Sequence, residues 1–325
     1  MSLSDLRYFN NMVAKQGTLG IGDYIMMALG GIGVYARENP VFWYVNPVTG
    51  LDTNSGTSPA APFKTIQFAV DSAGTATDGR GDVIFLQSGN GTDYDDDTVG
   101  ASLADAYVHI NKPDLSIIGL GPPNSVIIKP DAAATAGVIV LGASADRVRI
   151  ANLTIDTTTA QSGAIVSVSG AHYPTIENVI FNLVGAAGPL GVGIDFDAAA
   201  VNYPVIRNCN FYCGTLIKAA IRMKCGTTGG LIEDCFFVNT ETAGTPTEDG
   251  INVKAGKFLR IKNCTIHGGA TADHLFADGI DIDAGVVNTS IDGCYIGGCT
   301  AAVTDGGTAT LGKIDLHGYT SMTAA

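Results

Sequence analysis

One short segment returns six times along this chain, and that recurrence limits the folds open to it. Ile150-Ala151-Asn152-Leu153-Thr154-Ile155 aligns without gaps with Ile176-Glu177-Asn178-Val179-Ile180-Phe181 and Ile206-Arg207-Asn208-Cys209-Asn210-Phe211. It aligns equally with Ile232-Glu233-Asp234-Cys235-Phe236-Phe237, Ile261-Lys262-Asn263-Cys264-Thr265-Ile266 and Ile291-Asp292-Gly293-Cys294-Tyr295-Ile296. The starts lie 26, 30, 26, 29 and 30 residues apart. A second series runs out of step with the first: Gly163-Ala164-Ile165-Val166, Gly193-Ile194-Asp195-Phe196, Ala220-Ile221-Arg222-Met223, Gly250-Ile251-Asn252-Val253 and Gly279-Ile280-Asp281-Ile282. Two short strands per repeat, with a third after the Asn, make a three-sided coil. A period of roughly 28 residues then predicts an all-β solenoid, a right-handed parallel β-helix of about eight coils.

No such coil buries its own apolar side; stacking at about 4.8 Å makes the core continuous. Ile, Val and Phe at alternate positions face in, and Glu, Arg, Lys and Thr between them face out. Asn at the bend tolerates the left-handed backbone conformation, and its amide can bond to the Asn of the next coil. Cys209, Cys235, Cys264 and Cys294 hold one place that Leu153 and Val179 fill in earlier coils. They read as reduced, apolar core residues rather than as ligands. Seven cysteines is an odd number and no C-x-x-C pair occurs, so zinc and disulfide frameworks fit poorly.

Composition narrows the function. Hydrophobic residues are 46% and charged residues 15%, which argues against disorder, and 42 Gly with 12 Pro suit frequent tight turns. The net charge of −13 argues against a nucleic-acid partner, which needs a basic stripe. Met1 to Asn11 carries Asp5 and Arg7 and does not read as an export signal. Leu19 to Ala36 contains Asp23 and five glycines, too short and too broken for a membrane span. Asp5 to Ala14 reads as a short helix and Ile21 to Leu29 as a more apolar one.

Leu115-Ser116-Ile117-Ile118-Gly119 and Val83-Ile84-Phe85-Leu86 read as strands of earlier coils, and Asp93-Tyr94-Asp95-Asp96-Asp97 as a solvated loop. Pro62 to Ala73 reads as an amphipathic helix capping the first coil, with Ile66, Phe68, Ala69, Val70 and Ala73 on its buried face. Tyr44-Val45-Asn46-Pro47, Gly50-Leu51-Asp52-Thr53-Asn54-Ser55-Gly56-Thr57, Pro62-Phe63-Lys64-Thr65-Ile66-Gln67 and Gly81-Asp82-Val83-Ile84 together resemble the opening of pectate-lyase-like β-helix proteins. That superfamily includes polysaccharide lyases and hydrolases, bacteriophage tailspikes and other virion proteins; the resemblance spans residues 41 to 315 and is specific for fold. The expected organisation is an arm over 1–40, the solenoid's opening and capping helix over 41–82, the β-helix over 83–316 and a small tail over 317–325.

The resemblance also frames the search for catalysis. Polygalacturonase-like members carry Asn-Thr-Asp, Gly-Asp-Asp, Gly-His-Gly and Arg-Ile-Lys in that order. Here Ala277-Asp278-Gly279-Ile280-Asp281 is a partial likeness to the first, and Arg260-Ile261-Lys262 lies upstream instead of downstream. Gly-Asp-Asp and Gly-His-Gly are absent. Asp195, Asp197, Arg222, Lys224, Asn252, Lys254, Asp281 and Asp283 stack on one face, as a ladder of cross-coil pairs would. Asp273, His274, Asp278 and Asp281 form the most enzyme-like cluster. Tyr203, Tyr212 and Tyr295 read as too scattered for a sugar platform. No metal or cofactor motif is read, and the balance favours a protein that is not an enzyme.

The expectation is therefore a virion structural protein, most specifically a capsid decoration or cement protein on the particle surface, assembled in the host cytoplasm. A tailspike or fibre subunit, or a depolymerase of lyase or hydrolase type acting on acidic glycans, is the alternative. The resemblance to phage members implies a homotrimer. The apolar segment with Leu19, Ile21, Tyr24, Ile25, Met26 and Leu29 is expected to dock on the major capsid protein, another virion protein or sister subunits, the alternative being a longer end cap of the solenoid.

Overall fold

The computed structural model describes residues 40–74, 81–95, 106–129, 137–157, 164–183, 191–197, 200–214, 217–224, 226–240, 249–268, 276–308, 310–316 and 323–324. Every ladder between its strands is parallel, as a solenoid requires. A long sheet of fourteen strands carries the first repeat series, and a second sheet of nine strands carries the other. The solenoid has about six turns, slightly different from the eight expected. The register matches the alignment read from sequence: Ile117, Ile150, Ile176, Ile206, Ile232, Ile261 and Ile291 pair in succession. All of them lie in a single hydrophobic core that runs the length of the described chain.

The bend works as the residue types predict. Asn152, Asn178, Asn208, Asp234 and Asn263 have φ between 51° and 61°, and Gly293 takes the same place at 63°. Nδ2 of Asn178 donates to Oδ1 of Asn152 at 2.7 Å, and Nδ2 of Asn263 to Oδ1 of Asp234 at 3.2 Å. Beyond the bend, the rings of Phe181, Phe211 and Phe237 stack within 3° of parallel at 4.6 and 4.8 Å. The thiols of Cys209, Cys235, Cys264 and Cys294 are buried and unbridged, and each points to a carbonyl of the preceding coil, at 3.6 to 3.8 Å.

The capping helix is shorter than expected and spans Ile66–Ser72. Thr65 is its N-cap, accepting from the Phe68 N–H, while Asp52 accepts the N–H groups of Lys64 and Thr65 and the Thr65 hydroxyl. The helix starts late because Phe63 is extended, bridging to Val45. Ile66, Ala69, Val70 and Ala73 are buried as expected, but Phe68 is 40% exposed and lies edge-on to Phe63. The 93–97 run is also corrected in part. Tyr94 is buried, its hydroxyl donating to the carbonyls of Val45 and Gln87. Thr323–Ala324, in the segment read as a featureless tail, pairs with Thr304–Asp305. No helix among the described residues is long and apolar enough to cross a membrane.

Candidate functional site

The outer face of the second sheet concentrates the ionisable residues. Along one column Asp195, Arg222, Asn252, Asp281 and Thr304 pair from coil to coil. A second column holds Asp249 beside Asp278. Between the columns each strand has a glycine and then an isoleucine, Gly250-Ile251 and Gly279-Ile280, and the two isoleucines point into the core. A Cβ on Gly250 would lie 2.6 Å from the Gly279 carbonyl oxygen, and one on Gly279 would lie 2.4 Å from the Ile296 side chain. Neither position has room for a Cβ, which explains the glycine that opens these two segments of the second series.

Most of these charges are spent between coils. Arg222 makes a bidentate contact to Asp195, Nε to Oδ1 at 2.9 Å and Nη2 to Oδ2 at 2.6 Å. Lys224 meets Asp197 at 2.5 Å, and Lys254 reaches Asp281 at 3.2 Å and Asp283 at 3.0 Å. Asn252 Nδ2 bridges Asp249 Oδ2 at 2.6 Å and Asp281 Oδ2 at 2.9 Å, and the Thr304 hydroxyl donates to Asp278 at 2.7 Å. Burial pushes Asp249 up to about 6, against the Asn252 hydrogen bond that favours its charged form. Burial also raises Asp281, partly opposed by Lys254. Asp249 was missed by motif reading because its signal is register, not sequence: it gains meaning only when Asp278 is placed beside it.

Of the enzyme-like cluster, Asp278 and Asp281 sit on the strand Phe276–Ile282, and Asp273 and His274 lie outside the described residues. The docking-arm residues Leu19, Ile21, Tyr24, Ile25, Met26 and Leu29 also lie outside them. Arg260 and Lys262 flank the core residue Ile261 and point out, as read from sequence. Among the described residues no group of three or more His, Cys, Asp or Glu is placed to hold a metal ion. The cysteine ladder is chemically quiet. Hydrogen bonding to Cys235 first, and burial second, push the Cys264 thiol up to about 12, so the reactive thiolate is suppressed.

Two further ladders escaped the sequence. On the long sheet Glu177 accepts from both Arg149 and Arg207, each Nε at 2.5 Å, joining three coils. At the corner before each first-series strand, Arg147, Tyr173, Tyr203, Gly229, Phe258 and Asn288 all have φ between 53° and 70°. Tyr203 is therefore not isolated: its ring stacks on that of Tyr173 at 5.2 Å and 11°. Nothing in the sequence marks bulky residues for this conformation, which they rarely adopt.

Solved structures share this architecture. A rhamnogalacturonan lyase matches with a TM-score of 0.53 and 14% identity over 82% of this chain and 74% of the other. Pectate lyase Pel9A matches with 0.53 and 14% over 82% and 68%. The ORF18 protein of Geobacillus virus E2 matches with 0.53 and 14% over 80% of this chain, which spans 59% of that protein's length. Identities this low show the fold alone. No curated protein matches the sequence. The family described as right-handed beta helix region matches residues 136–317, more than half of the chain. The chain belongs to the right-handed β-helix family.

Proposed function

We propose that this chain is a structural protein of a bacteriophage virion, a capsid decoration or cement protein displayed on the particle surface as a homotrimer. The observation that carries the reading is the use made of the outward charges. The Asp195–Arg222, Asp197–Lys224 and Lys254–Asp281–Asp283 contacts tie one coil to the next, as does the Arg149–Glu177–Arg207 triad. Groups engaged this way serve cohesion, which suits a rod exposed outside a capsid. The shared fold of a virus protein agrees with it. The partner is the major capsid protein or another protein of the particle. Mass spectrometry of gradient-purified virions tests the proposal: the chain is expected at a fixed stoichiometry to the shell protein, and its absence refutes the role. Three copies of 33.4 kDa should sediment at about 100 kDa.

A second reading, a lyase or hydrolase acting on acidic polysaccharides, is favoured by one observation. Burial pushes Asp249 up to about 6 beside Asp278 and Asp281, and a carboxyl raised towards neutral pH suits general-acid chemistry. Incubation with a panel of acidic glycans should release unsaturated or reducing ends, and Asp249→Asn should abolish the release. A panel without release removes this reading.

A further inference from the structure

Each coil has three sides, and the long sheet supplies two of them because its strands turn at the Asn bend. On the side before the bend, Glu177, Arg207, Glu233, Lys262 and Asp292 succeed one another as a column of alternating charge. The second sheet carries the Asp195–Arg222 and Lys254–Asp281 contacts. The side after the bend is different. Phe181, Phe211, Phe237, Ile266 and Ile296 are its buried inward residues, so their strand neighbours point out. One outward column reads Ile180, Asn210, Phe236, Thr265 and Tyr295. The other reads Asn182, Tyr212, Val238, His267 and Gly297. Neither column holds an Asp, Glu, Lys or Arg. Charge stops at the preceding rung with Asp156, whose carboxylate accepts from the Asn182 amide at 3.2 Å.

Such a side is unexpected on a chain of net charge −13 whose other two sides tie coil to coil through ions. Aromatic rings alternate on it with groups that form hydrogen bonds. Tyr212 pairs with Val238, so it sits diagonally beside Phe236 on the next strand, about 7–8 Å away. Phe236 and Tyr295 share a column with only Thr265 between them, about 10 Å apart. Phe236 is 37% exposed, and His267 is exposed as well. Tyr212 and Tyr295, which looked too scattered in the sequence for a sugar platform, thus share one side with a third ring.

We infer that this side binds a neutral polysaccharide. A sugar presents C–H groups on its ring faces and hydroxyls around its rim. Aromatic rings cover the first, and Asn, Thr, Tyr and His side chains hydrogen-bond the second. Charge selects a neutral chain, because no cation on this side offsets the repulsion between an acidic polymer and a molecule of charge −13. Size disfavours a second protein. Five rungs of about four residues each cover roughly 300 Å², against about 800 Å² on each partner of a stable complex. Widening the contact past the bend brings in the charged column. An added strand finds no edge here, since these backbones pair with the coils on either side. Such binding needs neither the virion role nor the Asp249 cluster, which lies on the other sheet.

Affinity electrophoresis of the full chain tests this, with dextran, mannan, galactan and rhamnan as neutral probes and polygalacturonate as the acidic one. At least one neutral polymer should retard the native chain. Phe236→Ala and Tyr295→Ala should each weaken that binding about tenfold, while Lys262→Ala, on the charged side, should leave it unchanged. Retardation by none of the neutral polymers, or by polygalacturonate as strongly, overturns the inference, as does full binding by both ring variants. Hydroxyl-radical footprinting of the unmodified chain gives a readout without substitution. The bound polymer should protect Tyr212, Phe236 and Tyr295, and protection confined to other sides overturns the assignment. Sedimentation without polymer supplies the last check: an oligomer that Phe236→Ala dissociates would make this side a contact between copies and refute the glycan.

Discussion

Removing the central ring of the phenylalanine stack should cost this protein more than almost any other single truncation. Phe211 is 0% exposed, with Phe181 at 4.6 Å on one side and Phe237 at 4.8 Å on the other. A buried Phe→Ala change typically costs about 3–5 kcal/mol. Two face-to-face neighbours lost at once place Phe211→Ala near the top of that range, since each such pair is worth about 0.5–1.5 kcal/mol beyond area. Collapse cannot rescue the site, because the rungs above and below are pinned by backbone ladders to both neighbours. The control is Phe236→Ala, the residue before Phe237 on the next strand, paired with Asn210 and 37% exposed, which should cost about 1 kcal/mol or less. Guanidinium unfolding followed by far-ultraviolet circular dichroism reads both. In a solenoid each coil depends on its neighbours, so the loss should also split one transition into two. Equal costs for the two variants would refute the reasoning that an in-register ring stack is the core.

Other outcomes follow from the same geometry. A double-mutant cycle on Asp195→Asn and Arg222→Met should give single losses of about 3 kcal/mol and a coupling of about 2 kcal/mol; a coupling near zero means the pair holds nothing together. Asp249 has its folded pKa raised from 3.8 to about 6, so the stability it contributes is fully present below pH 3.8 and lost as pH rises through 6. Against Asp249→Asn, the wild-type protein should therefore lose roughly 2–3 kcal/mol between pH 4 and pH 7, read from denaturant midpoints; parallel pH profiles would contradict the buried carboxyl. Cys209, Cys235, Cys264 and Cys294 should resist iodoacetamide until the protein unfolds, and rapid native labelling would contradict their burial. Asn178→Ala should cost about 1–2 kcal/mol through its φ of 52°, while Asn178→Gly should recover most of that loss in the same melt.

What was legible in the sequence was whatever repeats once per coil. Ile176, Asn178 and Cys209 announce strand, bend and core filler because each has counterparts at fixed spacing, and the structure keeps that register. What depends on a single coil was harder. Phe68 matched the helical period but sits outside because Phe63 holds the preceding residues extended. Tyr94 lay in an acidic run and is buried because two carbonyls receive its hydroxyl. Val83-Ile84-Phe85-Leu86 did carry a signal, since four consecutive apolar residues mark a strand covered on both faces. In the candidate site, Asp278 and Asp281 were found through a motif likeness, whereas Asp249 needed the cross-coil pairing that only the fold supplies.

The proposed role makes this solenoid a built part of a virus particle. A cryo-electron microscopy map of the purified particle that encodes this chain tests it most directly. The expected result is a trimer of rods on the outer surface, each with two large parallel sheets whose rungs repeat at about 4.8 Å. A complete map with every density assigned to other proteins would contradict it.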